Sequence, residues 1–425
     1  MTATRSTGTR AIETLDERRR AGASTVVWKF GGTSVRDHDR MRAVAQRMVD
    51  ARRAGHQVVA VLSAMGSSTD ELNELAYRMS DQPPLRELDA LLSVGETISC
   101  ALTAMAVHEL GERAVSFTGE QAGILTDDTH GNARVRRIRP DRIEAALDEG
   151  AIALVTGFQG ATADGATTTM GRGGSDASAV AVAAALNVTE CEIFTDVPAV
   201  FTADPRVVPN ARRLLELRHE EMLELAEAGA GVLQPRSVEL AAAHGVDIHL
   251  RSSFTTETGT WIRRGGSGTS GHFEDTGVAG VAHRLHEPLY AVRGVSAAQV
   301  SAALAARGAA VGAILPDTGR GLRFSAPGVP SAEVAAALAG LDAELDEQRE
   351  LGTVSVISLG IARKPELVAQ VLTALEQAGI AYEFVTTTPG RVTVHMDSGS
   401  VADAVRLLHD TFVPSADAAP GDQAA

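Results

Sequence analysis

Two glycine-rich segments carry the charged side chains best suited to binding an anion. In the first, Lys29 ends an apolar run and is followed almost at once by Gly31 and Gly32. In the second, Arg172 lies among glycines and Asp176 follows shortly after it. Backbone amides next to glycines can approach a phosphate closely, and an arginine can hold a carboxylate through two hydrogen bonds. These residue types predict a site that binds a phosphate and a carboxylate.

Each segment also has a purely structural interpretation. The glycines after Lys29 would serve in any turn from a strand to a helix, and Ser175 and Asp176 would cap a helix. The scarcity of lysine favours the functional interpretation, because Lys29 and Lys364 are the lysines among 39 basic residues. The sequence contains no GxxxxGK[ST], GxSxG or HExxH motif. P-loop, serine-hydrolase and zinc-protease chemistry are therefore not predicted.

The elements that must position these segments are short apolar strands that alternate with helices. The sequence predicts strands at 25–29, 58–64, 151–158 and 191–197, and an alanine-rich helix at 176–186. This pattern predicts an open, mainly parallel α/β sheet with helices on both faces. Polar residues that follow such strands, including Ser63, Thr195 and Asp196, occupy the usual ligand-binding edge of an open sheet.

The C-terminal part of the chain has a different organisation. Residues 263–277 have the glycine and serine content of a linker. From 278 to 413 a β-α-β-β-α pattern occurs twice, which predicts two ferredoxin-like α+β modules. The expected division is a tail at 1–24, a catalytic domain at 25–262, the linker, a tandem regulatory and dimerisation region at 278–413 and a tail at 414–425. Both tails are expected to be disordered.

Composition excludes several classes of protein. The 425 residues carry a formal net charge of −15, which disfavours nucleic acid and anionic membranes as partners. Two cysteines, Cys100 and Cys191, exclude a disulfide scaffold and a cysteine-rich zinc site. The apolar stretches look too short to span a membrane, and the first residues do not resemble a secretory signal. The expected location is the cytoplasm.

Taken in order, several segments resemble aspartate kinases of the amino-acid kinase superfamily, which carry C-terminal ACT modules. The segments are KFGGTSV (29–35), SAMGSSTDEL (63–72), GE (95–96), FTGEQAGILT (117–126), GFQG (157–160), TTMGRGGSDASA (168–179) and FTADPRVVP (201–209). The resemblance implies transfer of a phosphoryl group from ATP to the side-chain carboxylate of L-aspartate. It also implies a homodimer that pairs through the ACT modules.

The resemblance assigns roles residue by residue. It implies catalytic roles for Lys29 and Asp176, with the amides of Gly31 and Gly32 around the phosphates. The implied ATP-binding residues are Lys29, Phe30, Gly31, Gly32, Thr195, Asp196, Phe201 and Arg206. The implied substrate-binding residues are Ser63, Thr69, Glu96, Phe158, Arg172, Gly173 and Ser175. Mg²⁺ is expected to arrive with ATP, and no metal site built by the protein is predicted.

Three departures from the family pattern lie in the predicted site. Gly231 stands where the family carries a lysine that stabilises the transferring phosphoryl group, and Arg236 is a candidate substitute. Pro198 and Ala199 replace an aspartate and a glycine, and Thr97 replaces an arginine. These departures keep two alternatives open: a pseudokinase that only binds nucleotide or amino acid, and a kinase of a modified acidic amino acid. Glu96, Thr69 and Arg172 argue against the second alternative.

The first ACT module also departs from the family. The stretches GVSAAQVS (294–301) and AAVGAILPDTGRG (309–321) lack the asparagine and the acidic groups that bind lysine or threonine in relatives. We therefore expect weak or absent inhibition by lysine and threonine, and modules kept mainly for dimerisation. The open alternative is that another amino acid or another interface is recognised there.

Overall fold

The structure is a computed structural model that describes residues 24–265, 277–316, 321–341 and 343–413. The two predicted tails, apart from Ser24, and most of the predicted linker lie outside the described residues. The chain divides into two compact units. The first unit comprises Met1–Ala199 and Arg236–Arg264, and the second unit comprises Val200–Pro235 and Gly265–Ala425.

The elements are numbered along the chain. The strands are β1 Thr25–Phe30, β2 Gln57–Leu62, β3 Ala114–Phe117, β4 Ile124–Thr126, β5 Val135–Ile138, β6 Ile152–Thr156, β7 Gln159–Ala161, β8 Thr167–Thr169, β9 Glu190–Thr195, β10 Val200–Phe201, β11 Arg213–Leu214, β12 Glu216–Arg218, β13 Asp247–Ser252, β14 Thr260–Arg263, β15 Gly280–Arg284, β16 Leu289–Arg293, β17 Ile314–Pro316, β18 Leu322–Ser325, β19 Glu344–Arg349, β20 Leu351–Ile357, β21 Phe384–Thr387 and β22 Arg391–Asp397. The α-helices are α1 His38–Arg53, α2 Ser68–Met79, α3 Leu85–Leu92, α4 Val94–Glu109, α5 Asp141–Asp148, α6 Gly174–Ala185, α7 His219–Glu227, α8 Pro235–His244, α9 Ala297–Ala305, α10 Ser331–Leu338, α11 Pro365–Gln377 and α12 Val401–Phe412.

The first unit is built on a sheet in which strands follow the order β14-β13-β9-β1-β2-β6-β3. Neighbouring strands are parallel except that β14 runs antiparallel to β13. Every residue of β2 and β6 is buried. Such continuous burial requires helices on both faces of a parallel sheet. The predicted α/β fold class is confirmed.

Helix α1 shows how the sequence sets one layer of this fold. Asp37 caps its N-terminus, since its carboxylate accepts a hydrogen bond from the backbone N–H of Arg40 at 2.9 Å. Met41, Val44 and Met48 lie on one face at helical spacing and are buried in the core. Replacing Met48 with alanine would leave a cavity and cost about 2–5 kcal/mol.

Among the described residues, one helical stretch, Leu85–Glu109, has the length and apolar composition of a membrane span. This stretch is longer than the sequence analysis expected. A core helix of a folded domain passes the same test, and here Cys100, Ala104 and Val107 are buried in the hydrophobic core. We interpret the stretch as the packed helices α3 and α4, which meet at Ser93.

A smaller sheet of the first unit has the strand order β5-β4-β7-β8. The sequence analysis did not predict this sheet, because its strands are only three or four residues long. It matters for the site because β8 leads directly into the glycine-rich segment that begins at Gly171.

The second unit contains two four-stranded sheets, β17-β18-β16-β19 and β15-β20-β22-β21. The doubled α+β pattern of the prediction is present. The modules are nested rather than strictly consecutive, since β15 precedes the first module in sequence but pairs with β20 of the second. The segment Val200–Pro235 also belongs to this unit, and its Ala203 and Val208 are buried in the same core as β20, β22 and α12.

Candidate active site

The predicted anion site lies where three neighbouring parallel strands end. Phe30 of β1 pairs with Leu62 of β2 and with Phe194 of β9, so the loops that follow these strands begin at one edge of the sheet. The loops are in close contact. A Cβ atom on Gly32 would lie 2.9 Å from the carbonyl oxygen of Ala64, so this approach requires glycine.

Lys29 and Asp176 form the central contact of the site. The Lys29 Nζ atom lies 2.5 Å from Asp176 Oδ1, and the two side chains are 11% and 10% exposed. Asp176 lies in the first turn of α6, and Lys29 lies near the end of β1. A Cβ on Gly31 would lie 3.4 Å from Nζ, so the glycine loop borders the ammonium group. The ion pair fixes the position of a cation next to the glycine loop.

Phe158 lies between β6 and β7 in the chain and packs against the start of α6. It adopts the left-handed conformation, with φ at 68°, which is unusual for a bulky residue and is typical of functional sites. Its ring packs on the backbone of Gly174, where an added Cβ would lie 3.0 Å from the ring. The neighbouring Gly157 contacts Ser175 equally closely, at 2.8 Å from an added Cβ. The two segments that the sequence predicted to bind substrate are therefore in direct contact.

Glu96 is a buried carboxylate with spare hydrogen-bonding capacity. It is 3% exposed, and its Oε1 accepts a hydrogen bond from the Ala64 backbone N–H at 3.1 Å. Its Oε2 has no hydrogen-bond partner among the residues that the structure describes. Burial raises the pKa of Glu96 to about 7. An unpaired buried carboxylate oxygen is a suitable acceptor for an ammonium group.

The remaining substrate residues predicted in this unit lie around the same loops. Arg172 is exposed at the tip of its turn, and Gly173 has φ at 71°, which favours glycine. Thr69 is half-buried in the first turn of α2, and Ser63 directly follows β2. Among these residues, Arg172 is the exposed cation, which suits it to binding a carboxylate of a ligand.

Asp89 is a buried residue that the sequence analysis missed. It is 1% exposed and accepts hydrogen bonds from Thr169 Oγ1 at 2.5 Å, from the Gly131 N–H at 3.0 Å and from His130 Nδ1 at 2.7 Å. Gly131 in turn borders the turn that carries Arg172, since a Cβ on Gly171 would lie 3.1 Å from its carbonyl oxygen. The sequence around Asp89 is typical of an ordinary charged helix. Only the burial of Asp89 in the structure therefore distinguishes it from a surface residue.

A sequence model of the Amino acid kinase family matches residues 24–252. The aspartokinase of Mycolicibacterium smegmatis is 43% identical over 404 residues, which cover 91% of this chain and 96% of that protein. This chain belongs to the aspartokinase family. The aspartokinase of Geobacillus stearothermophilus is 42% identical over 91% of this chain and 97% of its own length.

The crystal structure of Escherichia coli aspartokinase III in complex with aspartate and ADP superimposes with a TM-score of 0.74. The match covers 92% of this chain and all of that one, at 22% identity, and therefore supports the shared fold. The expected fold class, an amino-acid kinase fold followed by two small α+β modules of the ACT type, is confirmed.

Two contacts bear on expectations drawn from aspartokinases. The Gly31 N–H donates a hydrogen bond to the Phe194 carbonyl at 3.1 Å, so the predicted contact of this amide with a phosphate requires that bond to be broken or shared. Arg236 donates hydrogen bonds to the backbone carbonyls of Met170 at 2.7 Å and Ala133 at 2.6 Å. These bonds hold the guanidinium of Arg236 against the protein backbone, which disfavours Arg236 as a substitute for the family lysine missing at Gly231.

The residues that the resemblance assigns to ATP belong to both units of the chain. In the first, Thr195 follows Phe194 in β9, and its hydroxyl donates to Oδ1 of the exposed Asp196 at 3.1 Å. In the second, Phe201 ends β10, and Arg206 forms a bidentate pair with Asp204. The guanidinium of Arg206 is thus held by a neighbouring carboxylate while its side chain stays 89% exposed.

Proposed function

We propose that this protein transfers the γ-phosphoryl group of ATP to the side-chain carboxylate of L-aspartate, giving 4-phospho-L-aspartate and ADP. The buried Lys29–Asp176 ion pair beside the glycine loop is the observation that carries the proposal. A cation fixed at the carboxyl edge of the sheet suits the binding of phosphate oxygens.

The reaction needs positioning rather than a general base. The side chain of free aspartate, with a pKa of about 4, is already ionised at neutral pH and can attack the γ-phosphorus directly. Two anions must approach each other, so a cation between them lowers the barrier. Lys29 supplies that cation, and Asp176 holds it in place.

Glu96 and Arg172 would orient the amino acid. The unpartnered Oε2 of Glu96 accepts a hydrogen bond from the α-ammonium group. Arg172, with its planar fork of donors, binds the α-carboxylate. Phe158, Thr69 and Ser63 border the same loops and shape the pocket. This arrangement leaves the side-chain carboxylate of aspartate as the group presented to ATP.

We propose that Mg²⁺ enters with ATP, bound mainly by phosphate oxygens. Among the described residues, no group of three or more histidine, cysteine or acidic side chains gathers into a metal site. Neutralisation of the phosphate charge by this chain then depends on Lys29. Asp196, which directly follows β9, is an exposed carboxylate.

The biological setting follows from the family. The product belongs to lysine, threonine and methionine biosynthesis, and we propose a cytoplasmic homodimer that pairs through its ACT modules. The loss of effector-binding groups at GVSAAQVS supports relaxed feedback control, in a specialised pathway.

A pseudokinase is the second candidate, and one observation favours it. Gly231 stands where the family carries a lysine, and the guanidinium of Arg236 donates hydrogen bonds to two backbone carbonyls. Removing one transition-state donor costs about 10²–10³ in kcat, so turnover without compensation would be slow.

Hydroxylamine trapping of acyl phosphate tests the proposal, with ATP, Mg²⁺ and L-aspartate. We expect aspartate-dependent hydroxamate from the wild type and at least a hundredfold less from Lys29→Ala. Lys364→Ala removes the other lysine of the chain, in the second unit, and serves as the matched control. No hydroxamate from folded protein that still binds ATP would favour the pseudokinase. A panel of other acidic amino acids identifies an altered substrate.

A further inference from the structure

The turn that carries Arg172 lies between β8 and α6 and is rich in glycine. A hydrogen bond of 3.0 Å from the Gly174 N–H to the Gly171 carbonyl closes it. Gly171 and Gly173 both have φ at 71°, a conformation that favours glycine. Because glycine leaves the backbone more freedom than other residues do, the direction of the Arg172 side chain depends on what holds the base of the turn.

Arg236 holds the base of this turn. Its Nη1 donates a hydrogen bond to the Met170 carbonyl at 2.7 Å, and its Nη2 donates one to the Ala133 carbonyl at 2.6 Å. Met170 directly precedes the turn, and Ala133 belongs to the loop before β5. Met170 is 1% exposed and Ala133 is 0% exposed. One guanidinium therefore joins two buried segments, and its planar fork of donors fixes the direction between them.

Other hydrogen bonds align the same two segments. The Ala133 N–H donates to the Thr169 carbonyl at 2.9 Å, and the Met170 N–H donates to the Phe158 carbonyl at 2.8 Å. The backbone of Met170 is thus bonded through both its N–H and its carbonyl, and Arg236 supplies the contact with the carbonyl. Without Arg236, the residue next to the turn would be held on one side only.

The position of Arg236 is electrostatically unfavourable for a residue that served only to stabilise α8. Arg236 lies in the first turn of this helix, where the positive end of the helix dipole disfavours a cation. This turn, all of whose residues the structure describes, contains no acidic residue. Burial lowers the pKa of Arg236, because a guanidinium is costly to remove from water. The two carbonyl contacts must offset these costs.

We propose that Arg236 is a positioning residue for the amino-acid substrate. It acts through Arg172, because its hold on the Met170 carbonyl keeps the turn in the orientation in which the Arg172 guanidinium meets a substrate carboxylate. In this role Arg236 contacts neither the substrate nor ATP. The inference deepens the proposed function and rests on it, since it assigns Arg236 a role toward the aspartate that the protein is proposed to bind.

Steady-state kinetics and calorimetric titration with L-aspartate test the proposal. Arg236→Ala should raise the KM and the Kd for aspartate about tenfold or more, while kcat and the KM for ATP change by less than about twofold. The reason is that Arg172 binds its carboxylate equally well in the ground state and the transition state. Arg134→Ala removes an exposed arginine next to Ala133 and is the matched control, with unchanged constants. A fall in kcat with constant KM would overturn the proposal, since it would place Arg236 at the transferring phosphoryl group.

A double variant separates positioning from general stabilisation of the fold. Arg172→Ala/Arg236→Ala should bind aspartate no more weakly than Arg172→Ala alone, because Arg236 acts through the side chain that is already missing. Additive losses would overturn the proposal. Millimolar guanidinium chloride, but not sodium chloride, should restore part of the affinity of Arg236→Ala, since free guanidinium offers the same donors.

Arg236→Lys covers the case in which the alanine variant does not fold. An ammonium group lacks the planar fork, so the KM for aspartate should still rise severalfold, and an unchanged KM would overturn the proposal. Wild-type protein that binds aspartate but forms no hydroxamate would refute the proposed reaction and leave the binding comparison intact. Wild-type protein that binds no aspartate would refute both.

Discussion

The buried carboxylate of Glu96 should affect the stability of the protein as well as the binding of substrate. Its pKa is raised from 4.5 to about 7 by burial, so the folded protein holds this proton more tightly than the unfolded chain does. The stability associated with this proton is fully present below pH 4.5 and is lost as the pH rises through 7. The unliganded protein therefore retains a carboxylate that destabilises it at high pH.

Glu96→Gln keeps the shape and the hydrogen bond from the Ala64 N–H while removing the charge. From pH 5 to pH 9 the wild type should lose about 2–3 kcal/mol relative to the variant, at 1.36 kcal/mol per pKa unit. The new amide leaves an unpaired N–H group at a cost of about 1–3 kcal/mol, but this cost does not depend on pH. The raised pKa is therefore revealed by how the stability difference between the two proteins changes with pH, and not by its sign at one pH.

Both tryptophans, Trp28 and Trp261, lie in the first unit, so their fluorescence during urea unfolding reports on that unit. A difference in unfolding free energy that stays constant from pH 5 to pH 9 would refute the assignment of a raised pKa. In the proposed complex with aspartate, the ammonium group of the substrate favours the ionised form of Glu96. The KM for aspartate should therefore fall up to about tenfold per pH unit as the pH rises toward 7, and this dependence should vanish in Glu96→Gln.

Three further outcomes follow from the geometry. A Cβ at Gly231 would meet no atom within 4 Å, so Gly231→Lys should fold normally. It should also raise kcat at least about tenfold in the hydroxamate assay, whereas Gly231→Gln should not; equal rates in the two variants would contradict the role given to the missing lysine. Asp89→Asn weakens the anchoring of the loop beside Arg172, so the KM for aspartate should rise about tenfold while the KM for ATP stays constant; an equal rise in both would mean a general loss of structure. Lysine and threonine should not inhibit below about 1 mM, alone or together, and strong inhibition in that assay would mean that the first module still recognises them.

The main sheet was predictable because its strands are continuously apolar. The sequence analysis placed one strand at 58–64, and the structure has β2 at Gln57–Leu62, fully buried. The small sheet of β4, β5, β7 and β8 was not predicted, because strands of three or four residues have no measurable periodicity. Its position depends on tertiary contacts such as the hydrogen bond of 2.7 Å between the Thr126 and Thr168 hydroxyls.

In the site, too, local motifs were predictable and tertiary contacts were not. Lys29 and Asp176 were predicted from short motifs, and they meet because β1 and α6 pack together. Asp89 was missed, since one aspartate on a charged helix carries no local signal. The occupied amide of Gly31 and the backbone contacts of Arg236 were also invisible in the sequence, because they depend on strands and loops that are distant along the chain.

The segment Val200–Pro235 interrupts the first unit in sequence but packs in the second. Its Thr202 hydroxyl is hydrogen-bonded to His409 of α12 at 2.9 Å, and its Val208 is buried in the core of the second sheet. A chain cut within the linker at 263–277 would expose these residues to water and leave α12 without this contact. The two units therefore cannot be exchanged, lost or acquired as consecutive stretches of sequence. The segment Val200–Pro235 would then be separated from the unit in which it packs.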